Sequence, residues 1–547
     1  MEHFGLWGIV PPLLTITLAL ITKDVIVSLF LGILSGTLIV AGGNPLFALM
    51  NATDLIAQSL NDAWNIRIFL FCALLGGLVG MLSKTGAAGA LGQLAAQKIK
   101  TRKSTLFTAW CLGLFIFIDD YFNTLTVGTI MRPITDKQNI SRAKLAHIID
   151  STAAPICISI PVSSWVVTVM SVVKSSDGFS KLGISEFEFF LKAVPYNMYA
   201  LLTLCMIMVL ILSGRDFGPM KHSERLAREK KLLFNEELYG TAGGDIPIAY
   251  NKRAKAVDMI FPILVLISAA LFFFPFTTWL KAVQSGSSAG ILEARHAIPL
   301  SRAFAESDAS IALLYAASLT ILFTYLYFIS RKLLTVKDAS YALKDGIASM
   351  VPALIILTLA WTIGSVIKAA PAEGGLGLAK YLAEMVTARY FPLWLLPAAV
   401  FVCSALISFS TGTSWGTFTI MIPIVLPIAL ALAEMQMITD TALLNAALIN
   451  VGAVLSGAVF GDHASPISDT TILSSTGAGC PHLEHVTTQM PYALFASVCA
   501  FAGFIVSGIF LNAAIGWAVT LTIFVFGFVL LPRLLPEHRS KKTAERR

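Results

Sequence analysis

Three short stretches of this 547-residue chain set ionisable or hydroxyl-bearing side chains into otherwise apolar surroundings. The first, Ile118-Asp119-Asp120-Tyr121-Phe122-Asn123-Thr124, places two adjacent carboxylates after a run of about 14 apolar residues, or about 21 Å of helix. A carboxylate that deep in a bilayer costs about 2.5 to 3.5 kcal/mol on insertion scales, so it is expected to have a partner or a function. Two neighbouring carboxylates cannot both ionise cheaply in a dry site; the pair is expected to share a proton, which a cation can replace. A solvated Asp pair in an outer loop is the competing reading. The second stretch, Phe409-Ser410-Thr411-Gly412-Thr413-Ser414-Trp415-Gly416-Thr417, offers hydroxyls and glycine-exposed carbonyls, neutral oxygens suited to a hard cation such as sodium. Small residues of this kind also serve to pack membrane helices. The third, Gly461-Asp462-His463-Ala464-Ser465-Pro466-Ile467-Ser468-Asp469-Thr470-Thr471, brings ionisable groups to a proline where a helix should break and release carbonyls. His463 is able to exchange a proton near neutral pH; capping of a helix end is its plainer use, and that of Asp462.

The elements that must hold these residues are membrane helices. The chain is 56% hydrophobic and 13% charged, against about 25% charged in soluble proteins, which excludes most soluble enzymes. The net charge of +7 is dispersed over connectors rather than gathered in a stripe, so nucleic acid is not an expected partner. The seven cysteines never form a C-x-x-C pair and read as packing residues. The cluster Cys480-Pro481-His482-Leu483-Glu484-His485 matches no zinc spacing and reads as a solvated connector. The N-terminus lacks a basic n-region and a cleavage site, so the first apolar run is expected to remain as a helix.

Apolar runs predict spans at 7–22, 25–42, 66–83, 145–173, 192–213, 257–280, 310–330, 346–368, 441–461, 491–512 and 514–535, with interrupted segments at 104–133 and 391–433. Lys/Arg-rich connectors at 98–103, 132–144, 214–256 and 331–344 and the basic tail belong in the cytoplasm, whereas 43–65 and 282–309 are poor in basic residues. Both ends of 104–133 are then cytoplasmic and both ends of 391–433 external, which requires an even number of crossings or a re-entrant hairpin; with each a hairpin entering from its own side, every other span alternates correctly.

An internal repeat supports this. Thr129-Ile130-Met131-Arg132-Pro133 recurs as Thr419-Ile420-Met421-Ile422-Pro423, which sets Asp120 to Thr124 opposite Ser410 to Ser414. Ala153-Ala154-Pro155-Ile156 pairs with Ala464-Ser465-Pro466-Ile467, carrying Ser163-Ser164 onto Ser474-Ser475; Gly80 and Lys84 pair with Gly364 and Lys368. The fold expected is an all-α polytopic membrane protein with inverted-topology repeats, re-entrant hairpins and broken helices. That is the architecture of secondary transporters, whose sites lie where the broken elements meet. The organisation expected is membrane helices over 1–65, a first repeat over 66–213, a cytoplasmic connector over 214–256, linking helices over 257–345, a second, inverted repeat over 346–490, and C-terminal helices with a basic tail over 491–547.

The strings GDHASPISDTTILSSTGAG at 461–479, FSTGTSWGTFTIMIP at 409–423 and IDDYFNT resemble those of NhaC-type sodium/proton antiporters, within the wider ion-transporter superfamily. The resemblance covers most of the chain. It implies a multi-pass protein of the cell inner membrane that exchanges Na+ for H+, with no cofactor beyond these transported ions. Its partners are the lipid bilayer, sodium ions and protons, and a homodimer is an allowed assembly. The ion-handling residues it implies here are Asp119, Asp120, Asn123, Thr124, Ser410, Thr411, Thr413, Ser414, Asp462, His463 and Asp469, with Asp120 and Asp469 as sodium-binding carboxylates. Sodium and protons would compete for one carboxylate site during alternating access. The same broad family resembles malate/lactate exchangers, so a coupled carrier of an organic anion or amino acid is the alternative; it would need a fixed countercharge, and only Arg132 stands near. A serine hydrolase rests on the literal G-x-S-x-G at Gly412 to Gly416, whose flanks lack the required strand, and a channel would need a ring of repeated charges.

Overall fold

The computed structural model describes residues 3–534 apart from 23, 100, 118, 162, 241–250, 306, 379–380, 382–391, 439 and 467. Its described secondary structure is helical throughout. Eight of these helices are long and apolar enough to cross a bilayer, or up to ten when two bent pairs are each taken as one span. The chain is a multi-pass membrane protein.

In the first half, α1 (Val10–Thr22), α2 (Val25–Val40) and α3 (Pro45–Asn61) precede α4 (Ala63–Lys84) and α5 (Ala87–Lys98). The interrupted segment becomes α6 (Arg102–Phe115) and α7 (Asp120–Lys137). At 1.5 Å per residue α6 is about 21 Å long, short of a bilayer core of about 30 Å, as a re-entrant arm should be. Arg102 at the start of α6 donates to the carbonyls of Gln138 and Asn139 after the end of α7, so both ends of the hairpin lie at one face. The next span is broken into α8 (Arg142–Cys157) and α9 (Ser164–Ser175), and α10 (Glu186–Ala193) leads into α11 (Met198–Ser213). The connector carries α12 (Gly218–Lys230), followed by α13 (Val257–Gln284) and α14 (Ala309–Ser330).

The second half repeats the scheme. α15 (Val336–Ser349) and α16 (Val351–Lys368) lead to a hairpin of α17 (Leu396–Thr411) and α18 (Ser414–Met435). A second broken span follows, α19 (Asp440–Ala464) and α20 (Asp469–Ala478), and then α21 (His482–Phe510) and α22 (Ala513–Leu534). The short half-helices cross over between repeats: α9 packs on α18, and α20 packs on α7 and α8. The α7–α20 approach depends on glycine, since a Cβ on Gly128 would lie 2.5 Å from the carbonyl carbon of Gly477.

Several expectations are corrected. Residues 43–65 are not a bare connector but hold α3, capped by Asn44 with Pro45 in its first turn. Its polar positions Asn51, Thr53, Asp54, Gln58 and Ser59 dilute the hydropathy that identifies spans, while the helical pattern is retained. The expected span 346–368 starts late, because its chain turns by 45° between α15 and α16. The breaks also differ in length: α8 runs through Pro155 and ends at Cys157, whereas α19 ends at Ala464, just before Pro466. Ser163 and Ser468 are the helix caps after the two breaks, so Ser163 corresponds to Ser468 rather than to Ser474. Lys84 is exposed at the end of α4, as a snorkelling lysine should be; the Lys368 side chain, residues 241–250 of the connector and the tail beyond 534 lie outside the described residues.

Candidate functional site

The carboxylate at the end of α19 is enclosed by hydroxyls from two other elements. Asp462 Oδ2 accepts from Ser414 Oγ at 2.7 Å and from the Ser414 backbone N–H at 3.3 Å, at the first turn of α18. Asp462 Oδ1 accepts from Ser468 Oγ at 2.5 Å and lies 3.5 Å from Thr470 Oγ1, at the first turn of α20. Each interruption does necessary work here. The left-handed Gly412 ends α17 and allows α18 to restart at Ser414, and the turn at Pro466 lets α20 restart at its Ser468 cap. Two helix N-termini thus direct their positive ends at one buried anion. Ser414 Oγ also lies 3.1 Å from the Ala458 carbonyl, which adds a neutral oxygen to the cluster.

The tip of the first hairpin builds a second acidic cluster. Asp119 caps α7 by accepting from Phe122 N–H at 2.9 Å, and Trp165 Nε1 donates to Asp120 Oδ1 at 3.1 Å. Trp165 belongs to α9, and its ring meets Trp415 edge-on at 5.9 Å between centroids and lies 6.0 Å from Phe418. The indole therefore links Asp120 to the hairpin of the other repeat, and Asp120 lies within electrostatic reach of Asp462. All three carboxylates are buried, and every described partner is a hydroxyl, backbone amide or indole. A basic side chain would fill such a pocket with a permanent charge; here the positive charge can be a mobile ion or a proton.

The remaining expected site residues separate by role. Asn123 Nδ2 donates to the carbonyls of Gly113 and Ile116, both at 2.7 Å, and so holds the hairpin break together. The Thr124 and Thr411 hydroxyls bond back to the carbonyls of Tyr121 and Ile407 in their own helices. Ser410 and Thr413 are half-buried at the second hairpin tip, where the Thr413 carbonyl accepts from Thr417 Oγ1. Asp469 opens α20, and its side chain lies outside those described. His463 turns away from the Asp462 cluster, as successive helical residues must: Nδ1 meets Tyr199 OH at 2.7 Å and Nε2 meets Ser151 Oγ at 3.1 Å. A Ser414–His463–Asp462 triad therefore does not form, because Ser414 is bonded directly to the aspartate.

Sequence reasoning missed the polar face of α8. Asp150 Oδ2 accepts from Gln489 Nε2 at 2.6 Å and Thr471 Oγ1 at 3.1 Å and lies 3.2 Å from His485 Nε2. The polar residues His147, Asp150 and Ser151 at helical spacing within an apolar run were the available signal. The Cys480–His485 stretch is no solvated connector either: Cys480, Glu484 and His485 are buried. Glu484 accepts from Ser223 Oγ at 2.7 Å and Asn235 N–H at 2.9 Å, so the central connector docks on it. Among the described residues no cluster of His, Cys, Asp and Glu has the arrangement of a metal cage.

The model of the Na+/H+ antiporter family matches residues 156–509, which include the second hairpin and both halves of the second broken helix. The chain belongs to the Na+/H+ antiporter family. A Haemophilus influenzae protein named only as uncharacterized is 36% identical over 527 residues, 94% of this chain and 93% of that one. The malate-2H+/Na+-lactate antiporter of Bacillus subtilis is 32% identical over 179 residues, 31% of this chain and 34% of that protein. An H. influenzae protein named as an uncharacterized Na+/H+ antiporter is 33% identical over 171 residues, 30% of this chain and 33% of that protein. MtrF of Neisseria gonorrhoeae, from a class of antimetabolite efflux pumps, shares the fold at 13% identity with a TM-score of 0.50, over 86% of this chain and 85% of that one. Family and fold are those of a secondary transporter.

Proposed function

We propose that this chain exchanges Na+ for H+ across the cytoplasmic membrane, with the Asp462 pocket as the site where cation and proton alternate. The observation that carries this reading is the composition of the pocket. One buried carboxylate is surrounded by Ser414, Ser468 and Thr470 hydroxyls and by the Ala458 carbonyl, all hard neutral oxygens. With no cation bound, the hydroxyls donate to Asp462. On cation entry their lone pairs turn to the ion and the carboxylate supplies the charge; on cation exit a proton restores neutrality. Asp119 and Asp120 face the same region from the first hairpin and tune its charge, and relative motion of the two hairpins would expose the pocket alternately to each side.

The test is purified protein in liposomes carrying an internal pH dye, challenged with gradients of sodium, lithium and potassium, and separately with malate or lactate. Sodium-driven proton movement without an organic solute is the expected result. Movement only when an organic anion is present would replace this reading with the organic-anion exchange that the B. subtilis relative's name suggests.

A further inference from the structure

A second group of buried titratable side chains lies beside the cation pocket: His147 and Asp150 on α8, and His485 on α21. Gln489 joins them. Its Nε2 donates to Asp150 Oδ2 and to the His463 carbonyl, both at 2.6 Å, so its Oε1, 3.1 Å from His147 Nδ1, must accept. His147 therefore carries its hydrogen on Nδ1 when neutral, and its buried Nε2 is an open acceptor. His485 directs Nε2 at Asp150, and its buried Nδ1 is open in the same way. His485 against the buried Asp150 carboxylate, with His147 joined to it through Gln489, makes a group able to take up a proton.

The neighbouring charges are already occupied. Lys144 on α8 is bonded to Asp216 at 2.6 Å, and Tyr492 OH on α21 also donates to Asp216. Glu224 on α12 holds Arg102 and Ser141, and Glu484 on α21 is held by Ser223 and Asn235. Tyr199 on α11 faces His463, and Asp462 on α19 faces its own hydroxyls. Thus no lysine or arginine among the described residues neutralises Asp150, and the groups left to do so are its imidazole neighbours and the protons they carry.

We infer that Asp150, His147 and His485 form a proton-binding centre distinct from the cation pocket and coupled to it through the first turn of α20. Two consecutive residues of that turn divide between the carboxylates: Thr470 reaches Asp462, and Thr471 reaches Asp150. A cation entering beside Thr470 brings positive charge next to a centre whose added proton is also positive. In a site screened weakly by protein each disfavours the other, which is the sign antiport requires. The coupling is reciprocal. On release, one N–H bond of His147 or His485 breaks, the proton passes to water, and the centre loses one unit of charge. This inference rests on the proposed antiport in placing the cation at Asp462, and adds a second proton to the one that replaces the cation there.

The test uses the full chain in proteoliposomes, with Asp150→Asn and His485→Gln, the latter because glutamine can keep the bond to Asp150 without titrating. Isotopic sodium uptake and an internal pH dye report protons moved per sodium; sodium/sodium self-exchange at equal pH on both sides reports the cation step alone. Both variants should lower the proton-to-sodium ratio by about half or more and flatten the pH dependence, with self-exchange within about twofold of the unmodified chain. An unchanged ratio in both variants would overturn the centre, and so would an equal loss in both modes, which marks a purely structural role. If Asp150→Asn does not fold by size-exclusion chromatography, His485→Gln decides alone. Should the unmodified chain move protons with an organic anion and not with sodium, the sodium reading fails and the same variants are scored per anion, with anion self-exchange as the control. Proton movement with none of these solutes would overturn both.

Discussion

At the scale of single residues, a carboxylate paired only with hydroxyls and amides stays available to a mobile cation. Ser414 gives Asp462 both its hydroxyl and its backbone N–H, so Ser414→Ala removes one ligand and leaves the helix start in place. A hydrogen bond to a charged group is worth about 1.5 to 3 kcal/mol, so the sodium concentration for half-maximal flux should rise about tenfold or more in this variant. Asp120→Asn keeps an acceptor for Trp165 and removes the charge; pH-dependent sodium flux should be lost while the protein still elutes as a folded species. Full activity in that variant would remove Asp120 from the ion path. The acidic and hydroxyl-bearing residues of this region were legible in the sequence because charge is so scarce in a membrane chain. Their division of labour was not: the Asn123 amide N–H2 and the Thr124 hydroxyl donate to carbonyls of the first hairpin, while the buried Asn123 Oδ1 has no hydrogen-bond partner and remains an available oxygen, a distinction that only geometry reveals.

At the scale of elements, the proposed exchange depends on helices interrupted within the bundle and on neighbours that pack tightly against the stubs. The α7–α20 contact is the most sensitive, because α20 carries the threonines that reach both carboxylates and its distance from α7 is set by two glycines. Gly128→Ala forces a Cβ against the Gly477 backbone; with over-packing costs of about 1 to 3 kcal/mol, a lower midpoint of thermal unfolding in detergent and slower transport should appear together. Unchanged stability would show that the two helices can separate freely. The hairpins were readable from parity, since a basic residue at each end of one apolar segment admits few other solutions. Helix α3 and the docked connector helix α12 were not, because amphipathic helices lying against a bundle lack the hydropathy of a span and resemble loops in a sliding window. The broken spans were expected at their prolines; the first runs through Pro155 and is interrupted between Cys157 and Ser164, the stretch that holds Pro161.

For the molecule as a whole, two repeats place their half-helices across each other, so that the second broken helix rests on the first hairpin and the first broken helix on the second. In the proposed exchange, motion of the first hairpin would be passed to Asp462 through α20, which packs on α7 and carries Ser468 and Thr470. The inverted arrangement has a direct consequence: a single cysteine replacing Gln138 at the base of the first hairpin and one replacing Met437 beyond the second should react with an impermeant thiol reagent from opposite sides of the membrane. Reaction from the same side would refute the inversion. The most direct test of exchange at Asp462 is proton flux in proteoliposomes driven by an imposed sodium gradient, compared between the unmodified chain and Asp462→Asn. Rapid, sodium-dependent alkalinisation or acidification according to the gradient's direction is expected in the former and none above protein-free liposomes in the latter; equal fluxes in the two would contradict exchange at this carboxylate.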